Sequence, residues 1–230
     1  MSNSSRVART RQRYSAASLA TRRGLIATAE RLFTLNGYAA TSLDAIVNGT
    51  KVTKGALYHH FGGKQELFDA VFERVEARAA KRIRRALKAE KDPWEKANAG
   101  LRAFLETVQE PEYRRVVMQD GPAVLGVTRF KEQEERSTYG LVAEIVRSVS
   151  EGSHWQLDDD MLQTFTQIFF GAMSSAGEVV AEATDPVAAS ARVEAAIGVV
   201  LSGLRRLVQE GVDFNGASST GDGQEAPAAS

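Results

Sequence analysis

The sequence predicts an all-α chain: an N-terminal three-helix helix-turn-helix unit followed by a larger helical domain. Three observations carry this. Apolar residues recur at helical spacing along nearly the whole chain, and no stretch sustains the two-residue alternation of a strand. Within about 45 residues, a longer helical segment precedes two short ones joined by a Gly-containing turn. Charge is divided: residues 1–64 hold ten basic and two acidic side chains, net +8, so the rest carries −8 and the chain is neutral. A basic first quarter on an acidic body points to a polyanion-binding module joined to a part that avoids polyanions.

The elements follow in order. Residues 1–18, rich in Ser, Arg and Ala without apolar periodicity, read as a flexible basic arm. A first helix over residues 19–36 places Leu25, Ile26, Ala29, Leu32 and Phe33 on one stripe, and Asn36-Gly37 stops it. Thr41 caps a short second helix, with Asp44 completing a weak capping box, and Asn48-Gly49 breaks it. Thr53 caps a third helix over residues 54–60, with Leu57 and Phe61 facing inward. After Gly62-Gly63 a long fourth helix runs from Lys64 to about Glu90. Asp92-Pro93 starts the next, since Pro suits a first helical turn. Pro111 and Gly121-Pro122 punctuate the middle. Further helices span residues 128–150, 158–183 and 184–211, the second opened by Asp158-Asp159-Asp160 and the third by Asp185-Pro186. Residues 215–230 have the composition of a disordered tail. The divisions are thus 1–18, 19–66 for the helix-turn-helix unit, 67–214 for the helical body, and 215–230.

Several chemistries are disfavoured. The chain has no cysteine, so disulfides, thiolate catalysis and cysteine-ligated metal are excluded. His59-His60 are adjacent on a helix and diverge by about 100°, a poor geometry for one ion. Glu151-x-x-His154 has di-iron spacing but occurs once, beside Gly152. With three histidines in all, no Ser-His-Asp set is arguable, and no catalytic residue, metal or cofactor is expected. The apolar run from Ala195 to Leu201 is far shorter than the roughly 18 residues of a membrane span. No apolar stretch follows the N-terminal arginines as a signal peptide requires. A cytoplasmic protein with no membrane contact is expected.

In a helix-turn-helix the second short helix enters the major groove, its N-terminal residues nearest the base edges. Thr53, Lys54 and Gly55 occupy that end, and Tyr58 and His59 lie further along. The local pattern is specific. Ala29-x-x-Leu32-Phe33-x-x-x-Gly37-Tyr38-x-x-Thr41-Ser42-Leu43-x-x-Ile46, then Val52-Thr53-Lys54-Gly55-Ala56-Leu57-Tyr58-His59-His60-Phe61-x-x-Lys64-x-x-Leu67, resembles the TetR family of bacterial transcriptional regulators. The likeness covers about residues 22–72. Val47-Asn48, and Gly63 in place of a frequent Ser, depart from the usual pattern.

The resemblance implies a homodimer on a palindromic double-stranded DNA operator. It also implies a C-terminal domain that takes a small-molecule effector and loosens DNA binding, most simply as a repressor. Carried over, Thr41 and Ser42 hold phosphate, Thr53, Lys54, Gly55, Tyr58 and His59 form the recognition surface, and Lys64 binds phosphate. The last two helices form the dimer interface. Candidate pocket residues are Phe104, Val108, Met118, Phe130, Tyr139, Trp155, Phe165 and Phe169, which favour an apolar or aromatic effector. Two other readings stand beside this: a helical-bundle enzyme with a DNA-binding head, and a DNA-binding protein without an effector.

Overall fold

A computed structural model describes residues 3–152 and 157–212. Among them there are helices and no strands. The order is α1 (Asn3–Ala40), α2 (Leu43–Thr50), α3 (Lys54–His60), α4 (Lys64–Ala89), α5 (Pro93–Gln109), a π-helical segment π1 (Tyr113–Asp120), α6 (Gly121–Leu125), α7 (Val127–Glu134), a second π segment π2 (Glu135–Tyr139), α8 (Gly140–Glu151), α9 (Asp159–Glu182) and α10 (Pro186–Gln209).

The head is built from α1 to the start of α4. Leu25, Ala29 and Phe33 of α1, Ile46 of α2, Leu57 of α3 and Leu67 and Phe68 of α4 are completely buried together. Each of the Leu, Ile and Phe side chains contributes about 1.5–3 kcal/mol on leaving water, so this small core goes far to fix the relative placement of the short helices. Glu30, almost wholly buried, adds a polar tie: it lies 2.8 Å from Arg78 and 3.1 Å from Arg74 of α4.

Three expectations about the head need correction. Residues 3–18, read as a flexible arm, are helical and continuous with α1. The segment holds good helix formers, Ala and Arg, with no Gly or Pro before Gly24, so nothing stops the helix. Thr41 does not cap α2. Ser42 does, its hydroxyl accepting from the Ala45 N–H at 3.1 Å, and Asp44 turns away from any capping box to pair with Lys54. Gly49 does not end α2, which runs through Thr50 and closes on Lys51 in the left-handed region (φ 58°, ψ 42°). The Lys51 N–H bonds to Asn48 and the Val52 N–H to Val47, the paired bonds of a Schellman motif. Gly49 serves close approach instead: a Cβ there would sit 2.8 Å from Thr28 of α1. Gly37, the expected stop of the first helix, does leave helical geometry (φ 78°, ψ 166°), and a short turn to Ala40 follows it.

The body packs α5 against α4, then α8, α9 and α10 around α5. Its caps follow the sequence. Asp92, Asp158 and Asp185 each accept a backbone N–H at the start of α5, α9 and α10. The helix expected over residues 128–150 is α7, π2 and α8 in succession, and Pro111 and Gly121-Pro122 bracket π1. Pro122 falls in the first turn of α6, directly after π1. Arg205 of α10 reaches Glu95 at 3.3 Å and Asp92 at 3.6 Å, fixing the end of α10 to the start of α5. By length and composition α10 could cross a membrane, although only 17% of its apolar window is buried. Gly198, Ser202 and Gly203 interrupt its apolar run without making the helix polar. The expected tail at residues 215–230 lies outside the described residues.

Candidate nucleic-acid interface and an apolar cavity

The turn between α2 and α3 is short because Lys51 reverses the chain and Thr53 immediately caps α3, its Oγ1 accepting from the Ala56 N–H at 3.1 Å. Leu57 and Phe61 anchor α3 inward as expected. The opposite face is open. Ser42, Thr53, Lys54, Gly55, Tyr58 and His59 are all exposed, with Tyr58 at 58%. Gly55 has no heavy atom closer than 3.9 Å to where a Cβ would stand, so the N-terminal end of α3 is bare. Ser42 and Thr53 accept cap bonds through oxygen, which leaves each O–H free to donate to a phosphate.

Lys54 is not free. Its Nζ lies 2.7 Å from Asp44 Oδ1, and this hydrogen bond and the carboxylate's charge hold the ammonium above its ordinary 10.5. Lys64 stands at the edge of the surface, where α4 begins. Its Nζ donates to Ala39 O at 3.3 Å and sits 4.2 Å from the centre of the Tyr38 ring. Burial lowers its pKa below 10.5, and the charge of Asp120 partly opposes this. Its α4 N-terminus has no side-chain cap, as the Gly63 departure implied, but Glu66 reaches back to the Gly62 N–H at 2.6 Å.

Thr41 is a correction. It is 2% exposed, and its hydroxyl donates into the α1 end, 2.8 Å from Gly37 O and 3.2 Å from Leu32 O. It holds the α1–α2 corner together and presents nothing to a phosphate. His59 and His60 contact each other edge to face at 5.1 Å. Among the described residues, no cluster of three or more His, Cys, Asp or Glu side chains is placed to hold a metal ion. Asp44 was the member missed. As a helix-start acid it was read for capping, and only the α2–α3 packing shows that it faces Lys54.

A cavity of about 90 Å3 lies between α4, α5, α8, α9 and α10. Phe104, Phe165 and Phe169 line it as expected. Val108 does not: it is fully buried core. Nor does Phe130, which packs edge to face on Phe72 at 6.0 Å between head and body. Tyr139 turns to the Phe170 ring at 5.6 Å, and Met118 lies behind the wall against α9 near Gly177. Trp155 lies outside the described residues. The wall that was missed is the α8 stripe of Leu141, Val142, Ile145, Val146 and Val149, together with Ile197, Leu201 and Leu204 of α10. Their spacing was legible as an apolar face but did not say what the face meets. No charged side chain lines the cavity among the described residues, and Ile83 brings α4 itself into the wall.

A capped helix pair with an exposed second helix, on a helical body with its own apolar cavity, defines a helix-turn-helix protein with a distinct helical second domain. Residues 25–71 match the family described as bacterial regulatory proteins, tetR family, and residues 94–204 match the tetracyclin repressor-like C-terminal domain. A TetR-family transcriptional regulator of Pectobacterium atrosepticum is similar in structure, with a TM-score of 0.68 and 34% identity, over 82% of this chain and 96% of that one. The chain belongs to the TetR family. Among curated relatives, the transcriptional activator FasR of Mycolicibacterium smegmatis is 32% identical over 43% of this chain and 47% of its own length. The transcriptional repressor KstR2 of Mycobacterium tuberculosis is 28% identical over 50% and 59%. The chain thus spans about half the length of the curated relatives it matches.

Proposed function

We propose that this protein is a dimeric, sequence-specific DNA-binding transcriptional regulator, acting as a repressor that a small apolar effector releases from a palindromic operator. The carrying observation is the bare outer face of α3, with Thr53, Lys54, Gly55, Tyr58 and His59 exposed together and Ser42 and Lys64 beside it. Lys54, His59 and Thr53 read base edges, and Ser42, Tyr58 and Lys64 bind phosphate. The +8 charge of the first 64 residues supplies the sequence-independent part of the affinity.

The dimer forms through α9 and α10. Ile168, Val179, Val187, Val199 and Val200 stand 52–73% exposed on these two helices, far more apolar surface than a helix leaves in water without a partner. The same need accounts for the membrane-like composition of α10: one face lines the cavity and the other meets the second copy, in a protein of the cytoplasm. Two-fold symmetry then matches two half-sites.

The effector is neutral and apolar, since a charged group would lie unpaired among aliphatic and aromatic walls. At about 90 Å3 the cavity is smaller than the roughly 150 Å3 that holds a benzene, so binding must spread α8, α9 or α10. Ile83 in the wall and Lys64 at the DNA surface lie on one helix about 28 Å apart, so spreading the wall tilts α4 and misplaces the recognition helices.

Selection from a random double-stranded DNA pool tests the first half of this reading: an enriched inverted repeat supports it, and no enrichment contradicts it. Adding small neutral aromatics to the resulting complex tests the second. Release by such compounds but not by charged analogues supports an apolar effector. A complex indifferent to the whole series favours the reading without an effector.

A further inference from the structure

We propose that Asp120 and Arg115 are positioning residues for DNA recognition, fixing the angle at which the head sits on the body. This rests on the DNA-binding reading of the head. The two residues grip the end of α1 at one point. The Tyr38 N–H donates to Asp120 Oδ2 at 2.8 Å, and Arg115 Nε lies 3.4 Å from the same oxygen. The Arg115 guanidinium lies over Gly37, so close that a Cβ there would stand 1.9 Å from Nη2. Gly37 also has a φ of +78°, so the backbone bend and the seat for the guanidinium need the same glycine. The Asp120 side chain is only 16% exposed, and a charge-assisted bond shielded from water is stronger and more directional than a surface one.

Tyr38 connects this grip to the DNA surface. Its ring packs edge to face on Phe68 at 5.1 Å and faces the Lys64 ammonium, which in turn donates to Ala39 O. Three consecutive residues, Gly37, Tyr38 and Ala39, therefore hold body contacts on one side and a phosphate-binding lysine on the other. Asp120 in turn closes π1. Two residues earlier, Met118 stands with Phe104, a cavity wall, around Gly177 of α9, each about 3 Å from where a Cβ would be. Two further head-to-body contacts, Arg129 with Asp69 at 2.9 Å and Gln65 with Val124 O at 3.3 Å, lie on α4 and hold its first turns. Neither touches the end of α1, where Asp120 and Arg115 supply the polar contacts beside the buried Val116 and Val117 of π1.

Head angle sets the separation of the two recognition helices in a dimer, so the readout is half-site spacing rather than half-site sequence. The full chain is used to select DNA from a pool of one fixed half-site, found first with the wild type, repeated in inverted orientation across spacers of varied length. The wild type is expected to enrich one spacing. Asp120→Ala is expected to enrich the same half-site across neighbouring spacings and to lose about tenfold in affinity at the wild-type spacing. Asp120→Asn, which keeps an oxygen for the Tyr38 N–H, is expected to restore most of the selectivity. Arg115→Gln broadens spacing less than Asp120→Ala. An Asp120→Ala protein that melts cooperatively and keeps wild-type spacing selectivity overturns the proposal. Should that variant not fold, Arg115→Gln decides by the same criterion. Failure of the wild type to enrich any DNA contradicts the DNA-binding reading instead and is distinguishable from both.

Discussion

Lys54 Nζ lies 2.7 Å from Asp44 Oδ1, so the cation best placed to enter a groove is neutralised across the helix-turn-helix before DNA arrives. Both side chains are more than half exposed, so the pair contributes little to stability. Its consequence is for the proposed DNA contact: there Lys54 would exchange a carboxylate for a base edge or phosphate, and Asp44 would be left near the DNA. Asp44→Asn is expected to raise affinity for unrelated DNA about fivefold at low salt and to steepen the salt dependence by up to about one unit per protomer. Fluorescence anisotropy across a salt series checks both. An unchanged slope would show that Lys54 does not reach the DNA.

Lys64 gives a pH dependence. In the free protein burial disfavours its charged form, so it loses its proton below 10.5. A phosphate in the complex favours the charged form. Binding therefore takes up a proton at alkaline pH, and affinity falls as pH rises through the lowered pKa. Lys64→Arg, charged throughout this range, is expected to remove that fall while keeping neutral-pH affinity within a few fold. Titrations of both proteins against one DNA site from neutral to alkaline pH make the comparison.

Gly37→Ala is expected to destabilise the chain by about 1–3 kcal/mol, because its φ and ψ lie where other residues are strained. Displacement of Arg115 adds to this. Thermal unfolding should show a midpoint lowered by several degrees with helix content preserved at low temperature.

Val199→Glu is expected to break the dimer while leaving each protomer folded, since Val199 is 73% exposed in the single chain. In the proposed two-fold interface the substitution would place two charges in an apolar contact, which should weaken dimerisation at least about a hundredfold. Sedimentation velocity at micromolar concentration should find monomers, with DNA affinity lost in parallel. A wild-type dimer retained by Val199→Glu would move the interface elsewhere.

Much of this was legible in the sequence, and what was not has a common cause. Helical period, Asp caps and Pro starts are local, and α5, α9 and α10 begin where those signals stand, while α4 begins after the Gly62-Gly63 break. The inward pair Leu57 and Phe61 follows from spacing alone. Thr41 illustrates the limit. A threonine before a helix reads as a cap, yet the next residue takes that role and Thr41 closes the corner from inside. Gly49, expected to end α2, instead lets α2 approach Thr28 of α1, and Lys51 closes the helix. The cavity shows the same division. Phe104, Phe165 and Phe169 were recognisable as large apolar residues, while separating them from Val108 or Phe130 needs the packing partners of α8 and α10.

The most direct test of the α3 surface is a gel-shift titration of the double variant Tyr58→Ala, Lys64→Ala on the inverted repeat that the wild type selects. Both side chains lie outside the head's buried core, so the variant should fold, as circular dichroism can verify. If both side chains contact phosphate in each protomer of a dimer, four contacts are lost, and affinity should fall at least about a hundredfold with a shallower salt dependence. A folded double variant with wild-type affinity and slope would contradict the account.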